Sequence, residues 1–295
     1  MDNIAIFKEN LSLIDSNGQL NKATKEAIKA TGVIGEGFVS KRNPYYAKAA
    51  VTFAEGLTLQ AAELFSKQGK KTAVLNFANP VEAGGGVWRG ANAQEEYLCR
   101  ASNLYPCLSS DRAKPYYDYH RRLLMRNDRR AFSASDRIIY SEGVTVFRVD
   151  TRQGQAYTED WYQIDVITCA APWFKSKDDL PLDEQLYHIF DSRIRNILES
   201  AIEHEAEALV LGAFGCGAFH NPPEIVSKAF RNILLEDRYR HAFDHVVFAV
   251  KRTGSFCENI ECFEIEFSRF PERAEFSSER NKRRFVTIQH PTPKT

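Results

Sequence analysis

The stretch KTAVLNFANPVEAGGGVWRGANAQEEYLCR, Lys71 to Arg100, sets the architecture. Its first eight residues are mostly apolar and close at Asn-Pro, as a buried strand does. Three consecutive glycines follow, and a helical pattern opens near Ala93 with Gln94, Glu95 and Glu96 in its first turn. Strand, glycine loop and helix in that order form the repeating unit of a parallel α/β sheet. In such sheets ligands bind beyond the carboxyl ends of the strands, at loops that lead into helices.

The same grammar extends outward. VTVFRV (144–149), IDVITCAA (164–171), ALVLGAF (208–214) and HVVFAV (245–250) read as further buried strands, with AAVTFA (49–54) as a sixth. Between them GLTLQAAELFSKQG (56–69), DEQLYHIFDSRIRNILESAIEHE (183–205) and PPEIVSKAFRNILLE (222–236) carry helical periodicity. Near-continuous apolar strands separated by helices predict an α/β fold whose mostly parallel sheet is covered on both faces. Residues 1–45 read as a helical extension, 46–270 as the main domain and 271–295 as a polar tail with one short strand-like run. The Tyr- and Arg-rich segment 108–143 is expected as a helix with loops, and its KPYYDYHRRLLMRNDRR (114–130) reads equally as an exposed amphipathic helix or a polymer-phosphate contact.

Composition narrows the function. The 295 residues hold 39 Lys and Arg against 39 Asp and Glu, which argues against a domain-wide grip on nucleic acid. An anionic ligand must then be held by local devices such as backbone N–H groups and helix N-termini. Six cysteines without a CxxC pair, several within apolar runs, point to a reducing cytoplasm. No signal peptide is expected from MDNIAIFKEN, and no apolar run approaches the ~18 residues of a membrane span.

Two loops have ligand chemistry. One is NPVEAGGGVWRGANAQEE after the strand at 71–78, and the other is GAFGCGAFHNPPE after the strand at 208–214. Glycine there admits positive φ and lets backbone N–H groups approach a ligand. Neither is a P-loop, and neither has the GxGxxG spacing of a nicotinamide site. Acids in a first helical turn stabilise it by ~0.3–1 kcal/mol, which explains an arbitrary Glu pair. At the end of a ligand loop a division of labour is more natural. Adjacent helical residues diverge by about 100°, so Glu95 and Glu96 cannot both address one atom. The opposed carboxylates of common glycosidases are excluded for the same reason. A single acid suffices where the scissile bond ionises readily, protonating the leaving oxygen and then deprotonating water.

His241 and His245 have helical metal-pair spacing, but they straddle a helix-to-strand transition with no third ligand nearby. Cys216 and His220 lie close together without an orienting acid, which disfavours thiol catalysis.

LNFANPVEAGGGVWRGANAQEEYLCRASNLY, with LVLGAFGCGAFHNPPE downstream and ITCAAPW (167–173) between, closely resembles the bacterial-type poly(ADP-ribose) glycohydrolases, which are macrodomain proteins. The likeness spans about residues 45–255. It implies a macrodomain-like fold and an enzyme that cleaves ribose–ribose O-glycosidic bonds, mainly from the free chain end, with no metal or other cofactor. By position, Glu96 is implied as the catalytic acid and Glu95 as its neighbour at the terminal ribose. Asn79, Gln94 and Phe219 are implied as ribose contacts or, for Gln94, a residue orienting the acids. Gly84, Gly85, Gly86 and Val87 form the first ligand loop, and Gly215, Cys216, Gly217 and Ala218 the diphosphate loop. Glu55 is implied at the adenine amino group by more distant macrodomain analogy. The implied partners are poly(ADP-ribose) or ADP-ribose and ADP-ribosylated proteins, with no sequence-specific nucleic acid and no membrane. Two alternatives stay open: a macrodomain that binds ADP-ribose without cleaving it, and a hydrolase of mono-ADP-ribosyl or O-acetyl-ADP-ribose substrates. Trp88, Arg89, Glu82 and Trp173 depart from the family pattern, Glu82 by adding negative charge beside an anion site.

Overall fold

A computed structural model describes residues 2–125, 134–151, 154–174, 180–253 and 257–268. Its centre is a seven-stranded sheet in the order β1-β4-β5-β3-β6-β7-β2. The strands are β1 (Thr31–Ile34), β2 (Ala50–Glu55), β3 (Thr72–Phe77), β4 (Ile138–Thr151), β5 (Gly154–Cys169), β6 (Ala208–Leu211) and β7 (His245–Val250). From β5 to β2 every pairing is parallel, while β4 and β1 add an antiparallel margin. The expected mostly parallel sheet is therefore present.

Strand alternation builds a core on each face. Ala73 and Leu75 of β3, Leu209 and Leu211 of β6, and Val246 and Phe248 of β7 enter one cluster. Val74, Ala208, Val210 and Val247 enter the other. The first face is covered by α7 (Asp183–Glu203), α8 (Pro223–Leu234) and α9 (Glu258–Ser268). Leu186, Phe190, Ile194, Ile197 and Ala201 recur at helical spacing along α7 and are buried. Each such side chain contributes roughly 1.5–3 kcal/mol relative to exposure, and Phe190→Ala would cost about 3–5 kcal/mol.

The other face carries α3 (Thr58–Ser66), α4 (Gln94–Ala101), α5 (Leu104–Leu108) and α6 (Lys114–Met125), with α1 (Asn3–Ser16) and α2 (Gly18–Lys29). The first 45 residues also supply β1, whose Thr31–Ile34 pairs with Ser141–Ile138. Four residues containing a glycine carry too little pattern to announce a strand. β4 starts at Ile138, before the expected run at 144, because Gly143 (φ +70°) lies in a register shift between Ser141 and Val144 that interrupts the apolar pattern. The strand-like run of the tail lies outside the described residues.

Candidate active site

The carboxyl ends of β3 and β6 each open into one of the glycine loops. Beyond β3, Asn79 turns the chain, its Oδ1 accepting from Val81 N (2.9 Å) and Glu82 N (3.0 Å). Glu82 and Arg89 then close a two-pronged ion pair across the glycines, with both contacts at 2.7 Å. Arg89 thereby holds the Glu82 carboxyl below its ordinary range and neutralises the charge that stood out in the sequence. Gly84 and Gly85 adopt φ of +69° and +57°. Val87 is fully buried and its N–H bonds to Gly84 O (3.2 Å), so it serves the turn and offers no side chain to a ligand.

The two glutamates at the start of α4 have separate sets of partners. Glu96 Oε1 accepts from Gly86 N (2.7 Å) and Oε2 from Ala93 N (3.0 Å), so one carboxylate clasps both ends of the loop 86–93. Ala93 has no side-chain acceptor to return, which makes this half of a capping box. Glu95 Oε2 accepts from Asn79 N (2.7 Å), and Asn76 Nδ2 approaches its Oε1 at 3.5 Å. Glu95 is 3% exposed and Glu96 6%. Burial pushes the Glu95 carboxyl up to about 8, the Glu96 charge adds to the rise, and the Asn79 N–H opposes it.

Gln94 is a clamp on β3. Its Oε1 accepts from Phe77 N (2.9 Å) and its Nε2 donates to Leu75 O (2.8 Å) and approaches Thr58 Oγ1 (3.4 Å). These contacts seat α4, and with it both glutamates, on the strand end, in keeping with a residue that orients the acids, while Gln94 also reaches the cavity wall.

In the second loop Gly215 has φ of +76°, and a Cβ there would lie 2.4 Å from Ala171 Cβ and 2.6 Å from Asn221 Nδ2. Asn221 is 2% exposed and donates to Pro172 O (2.8 Å) and Gly215 O (3.0 Å). It ties the loop to the ITCAAPW segment, which buried Arg193 holds through Ala170 O (2.8 Å). Cys216 packs against the core, its Sγ directed to Phe214 O (3.6 Å). Burial pushes its thiol above the ordinary value, which disfavours the thiolate form.

A cavity of about 500 Å³ runs along these strand ends. Gln94, Gly215, Gly217, Ala218 and Phe219 are in its wall, as are Gly56, Leu57 and Thr58. Glu95, Glu96, Asn79 and the first glycine loop form a tight cluster beside it, joined to the wall through Ala93 and Gln94. Glu55, expected at the adenine, accepts from Arg252 with both oxygens (both 2.7 Å), next in the chain to Gly56 and Lys251 of the wall. Tyr97 and Arg100 also reach the wall, at spacings of three from Gln94, a helix-face signal that was available in the sequence. Asp150 and Gln155, from the β4–β5 hairpin, had no such signal.

His241 and His245 do not converge. His241 Nδ1 meets Tyr46 O (3.2 Å), and His245 Nε2 meets Thr52 Oγ1 (2.9 Å). Among the described residues no three His, Cys, Asp or Glu gather as metal ligands.

Fold and site together define an α/β protein with two glycine loops at the strand ends and a carboxylate clasped at a helix start beside the cavity. The family model described as "Microbial-type PARG, catalytic domain" matches residues 5–149. The chain is 32% identical to the crystal structure of poly(ADP-ribose) glycohydrolase (PARG) from Thermomonospora curvata, over 90% of this chain and 99% of that one, with a TM-score of 0.77. The same enzyme bound to the inhibitor ADP-HPD matches at 31% identity, equal coverage and a TM-score of 0.75. The PARG of Deinococcus radiodurans in complex with ADP-ribose matches at 29% identity over 83% of this chain and 96% of that one, with a TM-score of 0.69. No curated protein matches the chain. The chain belongs to the microbial-type poly(ADP-ribose) glycohydrolase family.

Proposed function

We propose that this protein hydrolyses the ribose–ribose O-glycosidic bond of poly(ADP-ribose), mainly from the free chain end, and releases ADP-ribose. The observation that carries the reading is the Glu96 clasp. A carboxylate held by Gly86 N and Ala93 N at the glycine loop has a defined aim, as a group in proton transfer requires. Glu96 in its acid form gives its proton to the leaving 2′-oxygen as the anomeric C–O bond breaks to an oxocarbenium-like centre. The resulting carboxylate takes a proton from water, and that water's oxygen bonds to the anomeric carbon.

The contacts support the remaining roles. Asn79 has its carbonyl engaged in the turn, so its amide Nδ2 is the end suited to ribose hydroxyls. Phe219 supplies an apolar wall for the terminal ribose, and Gly215, Gly217 and Ala218 supply backbone for the diphosphate. The likeness to structures solved with ADP-ribose and ADP-HPD supports ADP-ribose as the ligand. Its substrates are then ADP-ribosylated proteins, and its compartment is the cytoplasm, in keeping with six free cysteines. No helix among the described residues is long and apolar enough to cross a membrane.

The test is ADP-ribose release from the polymer, with EDTA present, by the wild type, Glu96→Gln and Glu95→Gln. Loss of a positioned proton donor costs roughly 10²–10⁴-fold, so Glu96→Gln should fall by that much and still bind ADP-ribose. Full activity in Glu96→Gln would sink the assignment. Wild-type binding without release would mark a protein that reads ADP-ribose.

A further inference from the structure

Helix α1 lies against the loop that clasps Glu96 and meets it at successive turns. In the first, Asn3 Nδ2 donates to Gly90 O (3.0 Å). Ile4 packs so near Gly90 (φ +77°) that a Cβ there would stand 3.2 Å from Ile4 Cγ1. One turn on, Phe7 is fully buried and sits edge-to-face with Trp88 (4.9 Å, 87°) and Tyr105 (5.0 Å, 84°). Trp88 Nε1 donates to Tyr105 OH (2.7 Å), and the Tyr105 ring fills the space beside Gly84. A further turn on, buried Asn10 donates to Arg100 O near the end of α4 and accepts from Arg148 Nε. One helix therefore bridges the loop 84–90 and the helix that bears Glu96.

The clasp depends on the distance between Gly86 N and Ala93 N. Between them lies a single 3₁₀ turn, Val87–Arg89, with bonds from Arg89 N to Gly86 O (2.9 Å) and Gly90 N to Val87 O (3.2 Å). So short a 3₁₀ segment has little stiffness of its own, and packing from outside must hold it.

We propose that α1 is a positioning element of the active site. Phe7 and Ile4 lock the turn 87–90, and through it keep Gly86 N and Ala93 N spaced to aim the Glu96 carboxylate. This rests on the reading that Glu96 performs the proton transfer. Neither residue touches substrate in this scheme, so their loss slows the chemical step and leaves substrate affinity in place.

The experiment compares Phe7→Ala, Phe7→Leu, Ile4→Ala, Ile14→Ala and Glu96→Gln in the full chain, by kcat, KM and melting temperature. Ile14 is buried on the same helix but packs with Leu20 and Phe147, in a cluster apart from the loop. Misplacing a catalytic group by an ångström costs about 10²-fold, so Phe7→Ala should lower kcat roughly 10–100-fold while KM stays within about twofold. Phe7→Leu, which refills most of the volume, should recover most of the rate, and Ile4→Ala should lose several-fold. Ile14→Ala should lower the melting temperature and keep the wild-type kcat. Should Phe7→Ala fail to fold, Ile4→Ala carries the test, and an unchanged kcat there overturns the proposal. An equal loss of kcat in Ile14→Ala also overturns it, making α1 a general stability element. A fully active Glu96→Gln would instead bring down the underlying reading. Inactive Glu96→Gln beside fully active Phe7→Ala brings down the role of α1 alone.

Discussion

The backbone at Gly85 passes so close to Glu96 that a Cβ on Gly85 would lie 2.5 Å from Glu96 Oε1, and 3.0 Å from Glu95 Oε2. Gly85 is thus required by the carboxylates themselves, whereas a Cβ on Gly84 would meet the Tyr105 ring and one on Gly86 the Ala91 side chain.

Gly85→Ala should accordingly displace the Glu96 carboxylate. At φ +57° an L-residue is also strained by about 1–2 kcal/mol. The expected outcome is a melting temperature a few degrees lower and a severe loss of ADP-ribose release, read by thermal melts and polymer-hydrolysis kinetics. A wild-type rate would mean that the acid has room to move.

Glu95 gives the fold a pH dependence. Burial pushes its carboxyl up to about 8 in the folded chain, against an ordinary value of 4.5. Between those values the unfolded chain has released the proton and the folded chain has kept it, so stability falls as pH rises. The slope is at most about 1.4 kcal/mol per pH unit, and the whole contribution is retained below the ordinary value. Glu95→Gln, which stays neutral, should therefore gain stability relative to wild type at pH 8 compared with pH 5. Thermal melts at the two pH values read it, and parallel curves would refute it.

Asn221→Ala removes the ties from the second glycine loop to Pro172 O and Gly215 O. Leaving buried backbone acceptors unpaired costs about 1–3 kcal/mol. Calorimetry should show weaker ADP-ribose binding, because the Gly215–Phe219 wall loses its support, with kcat at saturation affected less.

Glu55 separates an exposed ion pair from an adenine contact. With both oxygens on Arg252, and the pair exposed, Glu55→Ala should change stability by less than about 1 kcal/mol. Its KM should stay near that of wild type. A KM raised tenfold would support the adenine assignment.

The strands of the parallel sheet were legible because each is a short apolar run closed by Gly, Asn or Pro. Both glycine loops were legible because a residue without a Cβ is informative wherever it clusters. The role of Gln94 was not. An amide serves a ribose or a strand end equally well, and only the position of β3 decides that it binds Phe77 N and Leu75 O. β1 was missed because it becomes a strand by pairing with β4, with almost no pattern of its own.

The sequence by itself determined the α/β class, the two glycine loops and the Gln-Glu-Glu start of α4, since periodicity, glycine clusters and helix starts are local properties of the chain. Tertiary structure alone decided that Glu95 is buried beside Asn76 while Glu96 is clasped by Gly86 and Ala93. It alone brought Phe7 against Trp88, and Asp150 and Gln155 to the cavity. Burial and cross-chain contact depend on how the elements pack, and no stretch of sequence carries that information within itself.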